Sequence, residues 1–322
     1  MSRRIDWESQ IGRQLRLRDL HAFFTVVRSG SMAKAARQLG VSQPAVSKVI
    51  ADLEHALGVR LLERSSQGVD PTVYGTALLK RGMAAFDELK QGIRDIEFLA
   101  NPTTGEVKIG CPVGIGNTLM LQLIEPFMKK YPRVALHVDA VTNPQAFPGL
   151  FDRTYDLYIT LLPLPERRVP EGLNVEFLFS DPLVVAAGKH HRWASRRKIE
   201  FAELANESWI LPRTDSWNYI CVMDAFRVRG LPMPKVGLWS NIVPLRNQLI
   251  ATGQFVTALS ISNIRWHGMK VLPVDLPVHE WPVVIATLKN RALSPVVELF
   301  LEFVRDFTKP MRKAQEAEAR SV

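Results

Sequence analysis

The stretch Gly30–Arg64, GSMAKAARQLGVSQPAVSKVIADLEHALGVRLLER, decides how the N-terminal part of the chain folds. Ser31 can cap a helix over MAKAARQL, in which Ala33, Ala36 and Leu39 form a narrow apolar stripe that lets another helix approach closely. Gly40 ends that helix, since glycine adopts the left-handed conformation of a C-cap at no steric cost. Ser42 caps the next helix and Pro44 falls in its first turn, where an amide has no intrahelical partner to lose. The buried face of this helix is Val46, Ile50, Leu53 and Leu57, and the polar face near its N-terminus is Gln43, Pro44, Ser47 and Lys48.

Upstream, Leu17, Leu20, Phe23, Phe24 and Val27 recur at helical spacing, with Asp19 near the N-terminal end and Gly30 as the stop. Downstream, VRLLERSSQGVDPT after Gly58 reads as a short hairpin that offers Arg60 and Arg64 to phosphates or a minor groove. Two helices joined by a glycine turn, the second presenting its polar N-terminal face, form a helix-turn-helix, and the hairpin makes it a winged one. The chemistry agrees: glutamine matches the donor and acceptor pair of adenine, Ser47 reaches a base edge or phosphate, and Lys48 at a helix N-terminus favours an anionic backbone. The alternative is an all-helical packing module whose basic residues are merely solvated; the alanines, glycine turn, caps and basic hairpin together favour the winged helix.

At this point FFTVVRSGSMAKAARQLGVSQPAVSKVIADLEHALGVRLLERS closely resembles the DNA-binding domain of LysR-type transcriptional regulators. The resemblance implies an N-terminal winged helix-turn-helix, a long dimerising linker helix and a two-lobed α/β effector domain resembling periplasmic binding proteins. It implies as partners double-stranded promoter DNA, a small-molecule effector, a second copy in a dimer and a dimer of dimers, and RNA polymerase. The expected DNA-contacting set is Ser31, Ala33, Ser42, Gln43, Pro44, Ser47, Lys48 and the wing residue Arg64. The wing stretch SSQGVDPTVYG departs from many relatives, which carry a basic or aromatic residue and a plain threonine before the next helix.

The charge distribution fits a nucleic-acid partner. The chain has 322 residues and a net charge of +9; residues 1–64 hold 11 Lys or Arg against 6 Asp or Glu, more than half of the excess. From Thr72, a cap, a helical pattern runs to about Ala100, and Leu79, Gly82, Phe86, Leu89, Ile93, Ile96 and Ala100 alternate three and four apart. That heptad seam predicts a coiled-coil dimer held by Leu79, Phe86, Leu89, Ile93 and Ile96. The alternative is a long helix packed on its own domain. The expected organisation is a DNA-binding domain over 14–71, a linker helix over 72–100, a hinge over 101–106 and an effector domain over 107–310. Within the last, one lobe takes 107–181 and 280–308 and the other 182–279.

Beyond the hinge, strand patterns at 106–113, 134–141, 156–162, 181–188, 255–261 and 283–288 alternate with helical ones at 118–132, 216–230, 243–253 and 294–307. Such alternation predicts an α/β architecture with mostly parallel sheets, whose ligands bind beyond the carboxyl ends of strands. CPVGIGNT supplies Pro112, Val113 and Gly114, with Asn117 or Thr118 as the cap of the next helix; the alternative there is a plain tight turn. Thr160 ends DLYIT, and LPRTDSW offers Arg213 and Thr214 for a carboxylate or phosphate and Trp217 to cover a ring. Thr257, in the strand at 255–261, completes the expected effector set. An anionic or sugar-like metabolite suits these groups.

No GxSxG elbow, P-loop, HExxH or CxxC occurs, so no enzyme, cofactor or metal is expected. His190 and His191 in GKHHRW read as an exposed basic loop. Cys111 and Cys221, the two cysteines, sit in apolar runs and read as packing residues. No apolar run approaches the roughly 20 residues that span a bilayer, and the N-terminus lacks a signal-peptide core, so a cytoplasmic protein is expected.

Overall fold

The glycines that stop the N-terminal helices do so as the spacing requires: Gly30, Gly40 and Gly58 adopt φ of 61°, 66° and 68°. In the computed structural model, which describes residues 15–65, 68–101, 104–141, 147–162, 169–214, 216–264, 268–276 and 282–320, they close α1 (Leu17–Ser29), α2 (Met32–Leu39) and α3 (Gln43–Leu57). An antiparallel hairpin follows, β1 (Leu62–Ser65) with β2 (Gly68–Pro71). The 28-residue α4 (Val73–Ala100) comes next. Phe23, Val26, Ala35, Val46, Ile50 and Leu53 are almost fully buried in one cluster. The buried stripe of α2 is Met32, Ala35 and Ala36, whereas Ala33 and, in α1, Leu17 are exposed, a correction to the stripes read from spacing alone. Leu57 is half-buried.

Chain contacts divide the molecule into residues 1–90 and 91–322. The heptad seam of α4 splits in character along its length. Leu79 and Phe86 pack against the core of the first unit, and Gly82 lies under the Phe24 ring, which a β-carbon there would overlap. Leu89, Ile93 and Ile96 are 50%, 58% and 68% exposed. The first half of the seam thus packs in part on its own domain, and the second half is exposed among the described residues.

The second unit holds two five-stranded sheets. The first has the order β4-β3-β5-β12-β6, from β3 (Gly105–Cys111), β4 (Val134–Ala140), β5 (Leu157–Leu161), β6 (Leu173–Ser180) and β12 (Pro282–Leu288). The second has the order β11-β7-β10-β8-β9, from β7 (Leu183–Gly188), β8 (Trp209–Leu211), β9 (Val236–Trp239), β10 (Val256–Ser260) and β11 (Met269–Val271). Each sheet has two parallel and two antiparallel pairings, so the expectation of mostly parallel sheets is corrected. The antiparallel partners of the first sheet arise because β12 returns from the far end of the chain to lie between β5 and β6. β3 begins at Gly105, inside the range read as a hinge, and residues 102 and 103 of that range lie outside the described residues.

Helices α5 (Leu121–Lys130), α6 (Trp217–Val228), α7 (Val243–Ala251) and α8 (Pro295–Arg320) cover these sheets. Phe127 of α5 meets Phe300 and Phe303 of α8 edge-on at 5.0 and 5.2 Å. Asp156, just before β5, is buried and accepts from Arg94 at 3.5 Å, Arg291 at 3.1 Å and the Lys108 amide at 2.9 Å. It thus ties the end of α4 to the first sheet.

His191 is a correction: it is buried rather than part of an exposed loop, and lies 3.6 Å from Glu207, which also accepts from Arg192 and from Trp193 Nε1. Burial holds its imidazole below the ordinary value despite that carboxylate. Among the described residues no helix is long and apolar enough to cross a membrane, and no cluster of three metal-ligating side chains occurs.

Two glycines of α4 make a paired test. A β-carbon at Gly75 would overlap the Leu61 carbonyl oxygen, a backbone atom of the turn into the wing, whereas one at Gly92 meets nothing. Alanine in a helix is worth up to about 1 kcal/mol over glycine, and overpacking costs about 1–3 kcal/mol. Gly92→Ala is expected to raise the urea midpoint and Gly75→Ala to lower it, measured by circular dichroism.

Candidate DNA-binding face and effector cleft

The candidate DNA-binding face is formed by α3 and the hairpin β1–β2. Ser42 Oγ accepts from the Ala45 amide at 3.4 Å and Ser31 Oγ from the Lys34 amide at 3.4 Å, so both hydroxyls act as caps that fix the helix starts. Gln43, Pro44 and Lys48 are exposed and Ser47 is half-buried, on the face of α3 opposite Val46, Ile50 and Leu53. Arg64 is in β1, and its side chain lies outside the described residues. The wing is held by Glu54, whose Oε1 accepts from the amides of Leu61 at 2.7 Å and Leu62 at 3.2 Å. Thr72 then donates to the Arg60 carbonyl at 2.7 Å and accepts from the Gly75 amide at 3.0 Å, capping α4 as expected.

Between the two sheets of the second unit lies a cavity of about 430 Å³, a size typical of small-molecule sites. From the first lobe Pro112, Val113, Gly114 and Thr160 line it; from the second, Arg213 and Trp217. These six come from the sequence reading. Four others are placed elsewhere. Asn117 lines an adjacent cavity of about 700 Å³. Thr118 is buried and donates to the Gly114 carbonyl at 2.9 Å, so neither it nor Asn117 caps a helix; both lie inside the π-helical turn Gly116–Met120. Thr257 is buried and donates to the Ile210 carbonyl at 2.8 Å, and Thr214 is exposed and does not line the cavity.

The sequence reading missed Ser216, Asn218, Asn241, Arg246, Ser260 and Asn263, which also line the cavity. Ser216 is the N-cap of α6, its Oγ accepting from the Tyr219 amide at 3.3 Å. Arg246 Nη1 donates to the Ser240 carbonyl at 3.2 Å, and Asn241 Oδ1 accepts from the Arg213 amide at 3.1 Å. The lost signal was β9: once VGLW is read as a strand, Ser240, Asn241 and the start of α7 fall at its carboxyl end, where ligands are sought. Among the described lining residues two are arginines and none is Asp or Glu.

The LysR substrate binding domain model matches residues 100–309, and the model of the bacterial regulatory helix-turn-helix protein of the lysR family matches residues 17–76. The chain belongs to the LysR family of transcriptional regulators. It is 28% identical over 294 residues to the HTH-type transcriptional regulator TdcA of Escherichia coli (strain K12), spanning 90% of this chain and 92% of TdcA. It is 30% identical over 307 residues to the HTH-type transcriptional regulator YdcI of the same strain, spanning 92% and 97%. A full-length OxyR variant from Pseudomonas aeruginosa shares the fold, with a TM-score of 0.65 and 23% identity over 90% of this chain and 95% of that one. This LysR-type regulator therefore joins a DNA-binding winged helix to a domain of the substrate-binding kind.

Both cysteines are buried, and burial pushes the thiol of Cys111 up to about 11 and that of Cys221 up to about 12. At neutral pH they stay protonated and poorly nucleophilic. Alkylation by iodoacetamide at pH 8 is expected to label neither in the folded protein and both after unfolding in guanidinium, read by intact mass.

Proposed function

We propose that this LysR-type regulator binds a specific operator through Gln43, Ser47 and Lys48 of α3, with Arg64 on the wing. A small metabolite held between the two lobes of the C-terminal domain controls that binding. The observation carrying the reading is the inter-lobe cavity itself, walled by residues from both sheets and, among the described residues, without an acid. A ligand that binds one lobe arrangement better than another shifts the population toward it, by no more than its difference in affinity for the two. A regulator rather than an enzyme, acting in the cytoplasm, suits a chain of this family whose target is promoter DNA. Residues 14–71, 72–100 and 107–310 serve as DNA-binding, linker and effector segments.

Division of labour on α3 is testable with an operator selected in vitro from random DNA. Gln43→Ala is expected to lower discrimination against random DNA by about 1–3 kcal/mol while leaving non-specific binding nearly intact. Lys48→Ala weakens both and reduces the salt slope by about 1. Equal loss of specificity in the two variants, measured by fluorescence anisotropy across a salt series, sinks this assignment.

The exposed stripe of Leu89, Ile93 and Ile96 on α4 is the expected dimer seam, from which a dimer of dimers is built. Leu89→Glu or Ile93→Glu halves the mass seen by light scattering and abolishes operator binding. An unchanged mass refutes the seam.

A further inference from the structure

The cavity assigned above to the effector contains a seat for one kind of chemical group, a deduction that rests on that assignment. Arg246 lines the cavity from α7 and is only partly exposed. Its Nη1 donates to the Ser240 carbonyl at 3.2 Å, and no carboxylate among the described lining residues pairs with it. Burial lowers its guanidinium below the ordinary value, the mark of a cation taken from water without a counter-charge. With Nη1 committed to Ser240, the edge formed by Nε and Nη2 remains, a fork spaced for the two oxygens of a carboxylate.

Two further features converge on the same space. The 12-residue helix α6 starts at the cavity, with its cap Ser216 and first residue Trp217 both in the lining. Ser216 Oγ is occupied as an acceptor by the Tyr219 amide, which leaves its hydroxyl proton to donate beside the positive end of the helix. In the first lobe, Thr160 is fully buried and lines the cavity, yet among the described residues its Oγ1 has no hydrogen-bond partner. A buried hydroxyl without a partner in the protein marks a place where a ligand supplies one. Val141, Leu161 and Leu259 add apolar wall to the same cavity.

We propose that the effector is a small monocarboxylate bearing a hydroxyl, carbonyl or amino group. Its carboxylate sits on Arg246 and the start of α6, and its second polar group sits on Thr160. Because the two anchors belong to different lobes, only a ligand carrying both groups bridges the cleft. Arg213, exposed at the rim, is not the anchor.

The test is calorimetric titration of the full-length protein with lactate, pyruvate and alanine, with propionate as the acid of the same carbon chain lacking a second polar group, and with inorganic phosphate and 3-phosphoglycerate. At least one of the first three is expected to bind, and more tightly than propionate. Arg246→Gln then weakens binding at least about tenfold, the loss of one charge-assisted pair, and Arg246→Lys recovers part of it. Thr160→Val removes the advantage over propionate, and Arg213→Ala changes affinity by less than about twofold. Failure of all three acids, equal binding by Arg246→Gln, or preference for the phosphate compounds overturns the proposal. Gly114→Trp, which fills the cavity from a position where a β-carbon meets only Asn263 at 3.9 Å, separates the two readings. Binding lost in Gly114→Trp but kept in Arg246→Gln leaves the cleft as the effector site and removes the carboxylate seat. Binding kept in Gly114→Trp removes the cleft itself.

Discussion

The return of β12 to the first sheet constrains everything in the second unit. The chain leaves that sheet after β6, builds the whole second sheet from β7 to β11, and comes back to lie between β5 and β6. Two crossings therefore join the lobes. A pair of lobes connected twice has its relative sliding restricted while rotation about the crossings stays available, which is the geometry of hinge closure. At the first crossing Asp181 is buried and accepts from Ser262 through both the backbone amide, at 3.2 Å, and the hydroxyl, at 2.5 Å. Burial raises its carboxyl above the usual range although those hydrogen bonds pull the other way. The crossing is thus fixed by a short polar network instead of by packing alone.

The same return explains why the pattern of the C-terminal half was only partly legible. Central strands such as β5 and β12, buried along nearly their whole length, write continuous apolar runs that stand out in the sequence. β8 and β11 are three residues long, β9 is four, and β6 alternates irregularly; three of these four lie at a sheet edge. Short edge strands bury too little to leave a period. Their loss had a functional cost, because the loop after β9 carries Asn241 and leads to Arg246, and the cavity was accordingly read with Arg213 as its cation.

The DNA-binding unit was far more legible, since local rules govern it. Caps, glycine stops and proline at a helix start act within four residues, and each of those read at Gly30, Ser31, Gly40, Ser42, Pro44 and Thr72 is where the structure has it. What escaped was tertiary: the exchange of Ala33 for Ala35 in the buried stripe, and Glu54 reaching seven residues along the chain to hold the start of the wing. Leu79 and Phe86 show a related limit, since they pack in part on the helices upstream. A heptad records that a stripe is apolar, and it does not record whether the partner is another chain or the helices just upstream.

One strand joins the polar nodes of the effector unit. Asp156, immediately before β5, receives Arg94 from the end of α4 and Arg291 from the stretch before α8. Thr160, four residues later, lines the inter-lobe cavity, and its hydroxyl has no partner among the described residues. β5 is paired on both sides, with β3 and β12, and buried along its full length. Interiors packed to this degree transmit displacement instead of absorbing it. A contact that pulls on Thr160 therefore acts on the short strand whose start holds Arg94 of α4. Within this unit, Asp156 joins the strand that carries Thr160 to the end of α4.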